Sequence, residues 1–403
     1  MATTRKTFRF IVSPSGDAGA AVAPNTVLAV GTNQMQDARP AGFGAGQWVA
    51  TMFFQYAGGD FVPGFGAGGC FAMAGHGGHA TGDYQSVDAS VFDFADYTWK
   101  YLPNTNGITH NPYQFTEADV DGSGDQALIG SSGACPPPSH TYRLHTGIGS
   151  SLYLPRIVYG LQSGNGGARA WRCALNYGAM TCTWSRETTN NANSQYVMPY
   201  DQEWITSFYD PLRARIWQFS GTFAQATSVA TYRPGIDTAW SASNYSGLSG
   251  LAMQENAGLH GDLVYDSVRD CIWLLGADGQ LYRMNLANPP AAMTWTAQSS
   301  TGLVSVGTTG TGSSRTKTRW HLYPSADGGD DCLYTHAHAG QSVLKKFDPV
   351  TRTFSLVTIA NGPTMPSWDT SNPGHYSRFF YVPYRKCFAW IPGGASSVYL
   401  VRP

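Results

Sequence analysis

Charged residues are scarce in this sequence of 403 residues. Asp, Glu, Lys and Arg together make up 13% of the chain, about half of the ~25% that is usual for soluble proteins. The 26 acidic and 25 basic residues nearly cancel, which leaves a formal net charge of −1. Proteins that bind nucleic acid or anionic membranes concentrate basic charge on one surface. The composition therefore argues against both kinds of partner.

Long apolar runs are also absent, and cysteine is sparse. No run reaches the ~18 apolar residues of a membrane-spanning helix, so we expect no membrane span. The run from Phe8 to Val12 is too short and too interrupted for a signal peptide, and we expect no Sec-dependent export. Seven cysteines are too few for a disulfide scaffold, and we expect most of them to be reduced and buried.

The chain is instead rich in glycine (47), tyrosine (22) and tryptophan (12), in short alternating segments separated by turn residues. This pattern is typical of an all-β protein. Four predicted strands end in a tyrosine, and the intervals between these tyrosines are 56, 58 and 58 residues: Tyr209, Tyr265, Tyr323 and Tyr381. Near-equal intervals indicate an internal structural repeat.

The clearest repeat, residues 263–298, contains four predicted strands: one ending at Tyr265, then CIWLL, QLYRMNL and a strand ending in MTW. Six copies of this order can be placed along the chain, at residues 48–102, 140–187, 205–242, 260–298, 319–358 and 376–403. Four-stranded sheets repeated radially form a β-propeller. We therefore predict one all-β, six-bladed β-propeller over residues 1–403, with residues 103–139 as an inserted loop or arm.

The last copy has only three strands and needs a fourth from elsewhere. The stretch KTFRFIVSP, residues 6–14, resembles the fourth strand RTFSLVTI of the preceding copy, residues 352–359. We predict that residues 6–13 complete the last blade as its outer strand. Closing the ring in this way removes the open sheet edges of a linear array.

The repeat resembles those of kelch-type propellers, including the central domain of galactose-oxidase-like proteins. The shared features are a glycine after the second strand (AMAG, LLG), an alternating third strand and a tryptophan. The kelch double glycine is intact at few blades (Gly77-Gly78, Gly393-Gly394), and the repeat is longer than the usual ~50 residues. Galactose-oxidase-like enzymes hold copper with two histidines and two tyrosines, one of them linked to a cysteine. This sequence does not place that constellation.

Four cysteines open the second strand of a predicted blade: Cys70, Cys271, Cys332 and Cys387. We interpret them as small apolar residues between neighbouring blades, because free cysteine is among the most buried residue types. Cys173 and Cys182 flank the turn NYGA on adjacent strands. A labile disulfide between these two is an open alternative.

Histidines concentrate in the predicted loops of one propeller face. The predicted binding face contains His76, His79, His260, His336, His338 and His375, with His140 beside them. His336 and His338 would project from the same side of an extended segment, which suits a metal ion. Histidines that hydrogen-bond the backbone are the alternative interpretation.

A second candidate metal site lies in the predicted insertion. Asp119, Asp121 and Asp125 stand two and four residues apart around glycines, as in oxygen-liganding calcium loops. The stretch resembles the acidic calcium loops of extracellular repeat proteins. A solvated acidic turn is the alternative, and calcium is the only cofactor that we predict.

The sequence contains no recognisable nucleophile, acid–base pair or cofactor fingerprint. We therefore predict a non-catalytic structural or interaction protein, although fold and residue types alone leave the question of an enzyme open. The alternative is a carbohydrate-binding or metal-dependent, galactose-oxidase-like propeller enzyme. It would hold copper or zinc at His76, His79, His336 and His338.

Low charge, an uncharged polar surface and the expected lack of an export signal are together typical of virion proteins. In this respect the chain is similar in kind to propeller-containing nozzle or hub proteins of bacteriophage tails. We predict synthesis in the host cytoplasm, location in the virion, and other virion proteins or further copies of the chain as partners. An extracellular location is the alternative.

The acidic loop generates a direct test. If Asp119, Asp121 and Asp125 bind calcium, millimolar calcium will raise the melting temperature relative to chelator, because a ligand bound only to the native state stabilises it by mass action. Differential scanning calorimetry of the wild type and of the Asp121→Asn variant measures the effect. The same melting temperature in calcium and in chelator would show that the site does not bind calcium.

Overall fold

The computed structural model describes residues 21–44, 58–77, 85–108, 128–136, 144–154, 170–188, 206–220, 228–238, 241–244, 262–275, 280–286, 293–302, 320–336, 342–366 and 377–403. Regular structure in these ranges is almost entirely β-strand, with short 3-10 helices at Met35–Asp37, Ser325–Asp327 and Pro383–Arg385. The strands in chain order are β1 (Thr26–Val30), β2 (Asp60–Val62), β3 (Cys70–Gly77), β4 (Gln85–Asp93), β5 (Thr98–Leu102), β6 (Leu128–Gly130), β7 (Gly133–Cys135), β8 (Thr146–Ile148), β9 (Ser151–Leu154), β10 (Trp171–Asn176), β11 (Thr181–Arg186), β12 (Thr206–Asp210), β13 (Arg215–Ser220), β14 (Ser228–Tyr232), β15 (Ser241–Asn244), β16 (Asp262–Asp266), β17 (Cys271–Leu275), β18 (Leu281–Asn285), β19 (Thr296–Gln298), β20 (His321–Tyr323), β21 (Cys332–His336), β22 (Val343–Asp348), β23 (Thr353–Thr358), β24 (Phe379–Val382), β25 (Cys387–Trp390) and β26 (Val398–Arg402).

Six antiparallel sheets of four strands form the blades of a propeller. Blades 1 to 5 are β2–β5, β8–β11, β12–β15, β16–β19 and β20–β23, and blade 6 has the order β24-β25-β26-β1. The first strands of neighbouring blades touch: β2 contacts β8 and β24, β8 contacts β12, and β20 contacts β16 and β24. The first strands therefore surround a common axis, and the predicted six-bladed, all-β fold is confirmed.

The apolar core lies between the blades. Each of the six clusters of buried apolar side chains draws mainly on two neighbouring blades, and together the clusters account for all six junctions. The junction of blades 1 and 6 shows the packing most clearly: the rings of Phe71 and Phe380 stack with centroids 4.8 Å apart. Each sheet is therefore covered on both faces, which is why its strands carry near-continuous apolar runs such as CIWLL.

The turns before the second strands share one backbone conformation. In five blades the residue just before the strand has a positive φ between 50° and 68°: Gly69, Ala214, Asp270, Asp331 and Lys386. A left-handed residue at the end of such a turn matches the twist of the two strands that it connects. For a non-glycine residue this conformation costs about 1–2 kcal/mol. The turn recurs in spite of that cost, so we infer that blade packing stabilises it.

The ring is closed by a strand from the N-terminal region, but not by the predicted one. β1 pairs antiparallel with β26, with Thr26 opposite Arg402 and Val30 opposite Val398. The prediction that residues 6–13 occupy this position is therefore wrong, and those residues lie outside the described ranges. The alternating segment 6–13 fits a strand, but the strand that closes the ring is the mostly apolar TVLAV of β1, which places the fully buried Val27 in the cluster between blades 5 and 6.

Successive blades are also joined along their outer rims. At four junctions the chain leaving the outer strand of one blade hydrogen-bonds to the outer strand of the next, and we call these contacts the edge bridges. The bonds run from Thr32 N to Tyr97 O (3.0 Å), Cys182 N to Pro103 O (2.9 Å), Phe354 N to Thr301 O (2.9 Å) and Val27 N to Asn361 O (2.8 Å). Outer strands present unsatisfied backbone groups, and the edge bridges satisfy some of them.

Two asparagine side chains extend this arrangement. The Asn106 amide accepts from Trp184 N (2.8 Å) and donates to Trp184 O (2.9 Å). Asn33 accepts from Trp99 N (2.8 Å) and donates to Trp99 O (3.0 Å) in the same way. Each side chain therefore takes the place of a neighbouring strand at the edge of a blade.

The segment 103–139, predicted as a loop or arm, is anchored on blade 2 where the structure describes it. The strands β6 and β7 form a hairpin, and β7 contacts β11 at the outer edge of that blade. Asn106 also donates to Ala134 O (3.1 Å), which ties the start of the segment to the hairpin. The aspartates of the predicted calcium loop lie outside the described residues. No helix in the described ranges has the length and apolar character to span a membrane.

Gly362, which follows the edge-bridge residue Asn361, makes a testable contribution to the stability of the fold. Gly362 has φ +95°, and a Cβ added to it would lie 1.9 Å from Val27 O. We expect Gly362→Ala to lower the free energy of unfolding by about 1–2 kcal/mol for the positive φ and by about 1–3 kcal/mol more for overpacking. Urea denaturation measures the change.

Gly42→Ala is the matched control. Gly42 has a similar φ of +92°, but no neighbouring atom lies within 4 Å of an added Cβ. This variant should show only the backbone cost of about 1–2 kcal/mol. Equal destabilisation by the two variants would contradict the role of the edge bridge at Asn361.

Candidate functional site

The turns between first and second strands and between third and fourth strands emerge at one end of the propeller. We call this end the turn face. It comprises residues 63–69, 94–97, 149–150, 177–180, 211–214, 233–238, 267–270, 324–331, 349–352 and 383–386. Bonds between neighbouring turns confirm the common end: Gly64 N donates to Gly149 O (2.7 Å), and the Tyr384 hydroxyl donates to Pro63 O (3.1 Å). The predicted histidine-rich face is the opposite end.

Blades 3 and 4 carry the same three side chains at this end. In blade 3, Asp210 accepts from Arg213 Nη1 (2.7 Å) and from Trp217 Nε1 (3.2 Å). In blade 4 the same contacts recur as Asp266 with Arg269 (3.0 Å) and with Trp273 (3.2 Å). The carboxylate also caps the turn by accepting two backbone N–H bonds in each blade. The unit therefore fixes the turn to the strand that follows it.

The first unit also links the two blades. Arg213 donates to both oxygens of Asp270 in blade 4, at 2.8 and 2.7 Å. These bonds, together with the one that Arg213 donates to Asp210, raise the pKa of Arg213 above its ordinary value, although burial acts in the opposite direction. The hydroxyl of Tyr265 donates back to Asp210 (3.2 Å). Bidentate arginine–carboxylate pairs have a well-defined geometry, so this contact sets the relative position of the blades.

Three basic side chains of the turn face form ion pairs with a carboxylate of the same or the next blade: Arg213 with Asp210 and Asp270, Arg233 with Asp237, and Arg269 with Asp266. On adjoining strands, Lys100 pairs with Asp93 and Asp96, and Lys346 pairs with Asp330. Hydrogen bonds to Arg233 lower the pKa of Asp237. Three of the six basic residues in the turn-face ranges are therefore paired with a carboxylate.

Exposed apolar side chains cluster on the same face. Of the seven large exposed ones among the described residues, five stand in its turns: Tyr177, Leu212, Ile236, Val268 and Val350. Val350 is 73% exposed and Ile236 is 64% exposed. The other two, Leu28 and Leu356, lie on the outer strands β1 and β23. Tyr177 packs edge-on against the buried Phe65, with ring centroids 5.2 Å apart. All five side chains stand at the same end of the propeller, where one partner could cover several of them.

A cavity of about 370 Å³ lies on the propeller axis. All six first strands contribute to its wall, for example with Asp60, Thr146, Ser207, Val264, Leu322 and Tyr381. Pro211, Ser267 and Pro324 line it at the turn face. We call it the axial cavity, and its size falls within the range of ~300–1,000 Å³ for small-molecule sites.

Two of the predicted histidines, His336 and His76, lie in strands that the structure describes. The His336 ring is fully buried and stacks on Trp390 of blade 6, with centroids 4.4 Å apart. The backbone of His76 lies in β3, whereas His79, His260, His338 and His375 lie outside the described residues. The binding face therefore remains a prediction.

Sequence reasoning did not single out His145. This buried side chain approaches Gly58 O with Nδ1 and Ala74 O with Nε2, both at 2.9 Å. These contacts connect the segment before blade 2 to blade 1. In the described part of the chain, no three His, Cys, Asp or Glu side chains are arranged to hold a metal ion.

The four equivalent cysteines begin β3, β17, β21 and β25 and are buried, as predicted. Cys173 and Cys182 are free thiols. The thiol of Cys182 donates to Leu102 O (3.4 Å), across the junction of blades 1 and 2. The alternative of a disulfide between these two residues is therefore not realised in this structure.

The Asp–Arg–Trp unit of blades 3 and 4 corresponds to a repeated motif in the sequence. YDPLRARIW at residues 209–217 and YDSVRDCIW at 265–273 share Tyr, Asp, Arg, Ile and Trp at the same spacing. Only the tyrosine was used to define the repeat. The aspartate and arginine of each unit bind neighbouring strands and blades, and sequence spacing alone does not reveal those partners.

The chain is similar to solved structures at low sequence identity. No family model matches the chain, and no curated protein matches it. Among solved structures it is similar to a fungal alcohol oxidase of the AA5 family in complex with copper, with a TM-score of 0.41 and 14% identity over 86% of this chain and 62% of that one. It is also similar to a 6-phosphogluconolactonase candidate from Bacteroides uniformis, with a TM-score of 0.34 and 9% identity over 84% and 96% of the two chains. The chain spans less than two thirds of the oxidase, and the propeller assignment rests on the sheet topology above.

The buried thiols lead to a measurable expectation. Burial raises the pKa of Cys271 to about 11 and that of Cys332 to about 12, so little thiolate exists at neutral pH. We expect no rapid reaction of the native protein with dithiobisnitrobenzoate, and reaction of all seven thiols after unfolding in denaturant. If a reductant releases two further thiols in the unfolded sample, Cys173 and Cys182 are oxidised in solution.

Proposed function

We propose that this chain is a non-catalytic propeller that docks through its turn face into a larger protein assembly. The observation that carries the proposal is the concentration of exposed apolar side chains in the turns of blades 2 to 5. Leu212, Ile236, Val268 and Val350 are held on short turns. Full burial of such a side chain contributes about 1.5–3 kcal/mol, so a few of them are sufficient to anchor a partner.

The charges of the turn face indicate the kind of partner. Arg213, Arg233 and Arg269 already have carboxylate partners, and Arg352 donates to the Gln298 side chain, so the face offers few free basic groups to a phosphate backbone. The core of a protein interface is typically depleted in charged residues and enriched in apolar and aromatic ones. An uncharged protein surface therefore complements this face better than a nucleic acid does.

Rigidity of the turns supports the same proposal. Asp210 and Asp266 cap their turns through backbone hydrogen bonds, and Arg213 joins two blades through Asp270. Association costs free energy when loops must be ordered at the interface. A preformed face avoids much of this cost, which is what a component of a permanent assembly requires.

The assembly that we propose is the tail of a bacteriophage particle, in which the partners are other virion proteins or further copies of this chain. The support is the composition: only 13% of residues are charged, while glycine and tyrosine are abundant. Surfaces of this kind are suited to extensive uncharged contacts with neighbouring subunits. The inserted segment 103–139, anchored on blade 2, provides a second contact region.

Replacing apolar turn residues tests the docking surface. We expect the triple variant Leu212→Ser, Ile236→Ser, Val350→Ser to lower the copy number of the protein on purified particles at least tenfold. A loss of ~1.4 kcal/mol already weakens binding tenfold. Quantitative mass spectrometry of the particles measures the copy number, and urea denaturation should show unchanged stability because these side chains are solvent-exposed in the free protein.

The matched control is the double variant Leu28→Ser, Leu356→Ser. These side chains are similarly exposed, at 42% and 53%, but lie on the outer wall. We expect normal incorporation of this variant. Full incorporation of the turn-face variant, or absence of the wild-type chain from particles, would contradict the proposal.

A further inference from the structure

We propose that Asn361 is a site of spontaneous deamidation, at which water converts the side-chain amide to a carboxylate. Asn361 and the glycine that follows it lie on the edge bridge that joins blades 5 and 6. An asparagine followed by glycine is especially labile, because glycine has no Cβ to shield its backbone nitrogen. The proposal concerns the outer rim of the propeller, and nothing in the docking proposal requires it.

The reaction proceeds through a cyclic imide. The backbone nitrogen of Gly362 attacks Cγ of Asn361 and gives up its proton, so that a bond from nitrogen to Cγ forms. The bond from Cγ to Nδ2 breaks, and Nδ2 leaves with that proton as ammonia. Water then opens either carbonyl of the imide, which yields aspartate or isoaspartate. No electrons are transferred, and water is the only co-reactant.

The fold itself requires a glycine after this asparagine. Gly362 has φ +95°, and a Cβ added to it would lie 1.9 Å from Val27 O. Gly107, which follows Asn106, has φ +78°, and a Cβ there would lie 2.1 Å from a side-chain oxygen. Both pairs follow the outer strand of a blade, so the labile dipeptide results from the way in which the chain leaves that strand. The third Asn-Gly pair of the sequence, Asn165-Gly166, lies outside the described residues.

The structure protects the two described pairs unequally. The Asn106 side chain is buried, accepts from Trp184 N and donates to both Trp184 O and Ala134 O. Turning this amide toward the next backbone nitrogen would break all three hydrogen bonds. Asn361 is exposed, and its side chain makes one hydrogen bond to a described residue, from Nδ2 to Asn25 O (2.9 Å). Asn361 therefore reaches the reactive geometry at a lower cost in free energy.

The attacking nitrogen is accessible as well. Gly362 is exposed, and its N–H donates to no other described residue. Hydroxide promotes the attack because it removes the proton from the backbone nitrogen. The rate of deamidation should consequently rise with pH.

Both products weaken the edge bridge. In aspartate an oxygen replaces the Nδ2 donor and faces Asn25 O, so repulsion between two acceptors replaces a hydrogen bond. In isoaspartate the main chain runs through the former side chain. This change displaces the carbonyl that accepts from Val27 N (2.8 Å) and the nitrogen that donates to Asn25 O (3.2 Å). Deamidation thus loosens the start of β1 at the junction of blades 5 and 6.

Peptide mapping of the aged native protein tests the proposal, with mass spectrometry for deamidation and methyltransferase labelling for isoaspartate. At mildly alkaline pH we expect Asn361 to react at least tenfold faster than Asn106, a factor that corresponds to ~1.4 kcal/mol of additional opening free energy at Asn106. Both reactions should be slower at mildly acidic pH. In denaturant the two pairs should react at similar rates, because the contacts that distinguish them are then lost.

Two outcomes would overturn the proposal. One is an intact Asn361 in the native protein when the denatured sample has reacted, which would show that the edge bridge protects it. The other is an equal rate for Asn361 and Asn106 in the native protein, which would show that the structure does not select the site.

Asn361→Asp reproduces one product and measures its effect on the fold. We expect it to lower the folding equilibrium constant about two- to tenfold, because one hydrogen bond is lost. Asn176→Asp is the matched control: this exposed side chain accepts from Ala179 N (3.0 Å), so a carboxylate keeps the bond and adds the same charge. Urea denaturation measures both variants, and wild-type stability of Asn361→Asp would contradict the loosening of the bridge.

The turn-face triple variant separates this proposal from docking. Its three substitutions lie outside the edge bridge, so Asn361 should react at the wild-type rate in that variant. An unreactive Asn361 would leave incorporation into particles unaffected. Loss of incorporation would likewise leave the rate of deamidation unaffected.

Discussion

Burial of apolar side chains between neighbouring blades is the interaction on which the rest of this structure depends. Each sheet has two apolar faces, and neither face can be left in water. A linear array of blades would leave one such face exposed at each end. The stacked rings of Phe71 and Phe380 show that the junction of the first and last blades is packed like the others. Burial of the core therefore requires a closed ring. β1 forms a strand because it pairs with β26 and completes blade 6.

Polar contacts refine an arrangement that the apolar packing has already imposed. At the inner turns, Arg213 and Asp270 join two blades, and at the outer rim the edge bridges join four pairs of blades. Neighbouring blades are thus joined both at their turns and at their outer strands. A blade therefore has little freedom to rotate against its neighbour. The turn face inherits this rigidity, which is why exposed residues such as Ile236 and Val350 can serve as fixed contact points.

The axial cavity and the turn face are two consequences of the same geometry with different chemistry. The turn tips lie beyond the last strand residues, where side chains can be exposed without disturbing the sheets. The cavity is formed by first strands, whose hydroxyl groups are already engaged by carboxylates and carbonyls of neighbouring elements. Tyr265 illustrates the connection, since this cavity-lining residue also links blades 3 and 4 through its bond to Asp210. A mutation there would affect the cavity and the blade junction together.

Local patterns were sufficient to predict the parts of the fold that repeat. The near-equal spacing of Tyr209, Tyr265, Tyr323 and Tyr381 indicates a repeat, six copies of its strand order can be placed along the chain, and the cysteines at the start of second strands were predicted to be buried between blades. These features are readable because each blade solves the same packing problem with a similar order of strands. The motif of a Thr or Asn followed by Gly after an outer strand, as at Asn361-Gly362, was equally present in the sequence. It could not be interpreted without the neighbouring blade, because its partner, Val27, is more than 300 residues away in the chain.

By itself, then, the sequence determined an all-β propeller of six blades with a last blade completed from the N-terminal region. Tertiary structure decided which segment completes it, because residues 6–13 alternate like a strand whereas the short apolar segment 26–30 is selected by the contacts of Val27 with blade 5. It also decided where the candidate sites lie. An axial cavity takes one or a few residues from each blade, and a turn face collects tips that are far apart in the chain. No local pattern can encode such sets, because their members become neighbours only when the ring has closed.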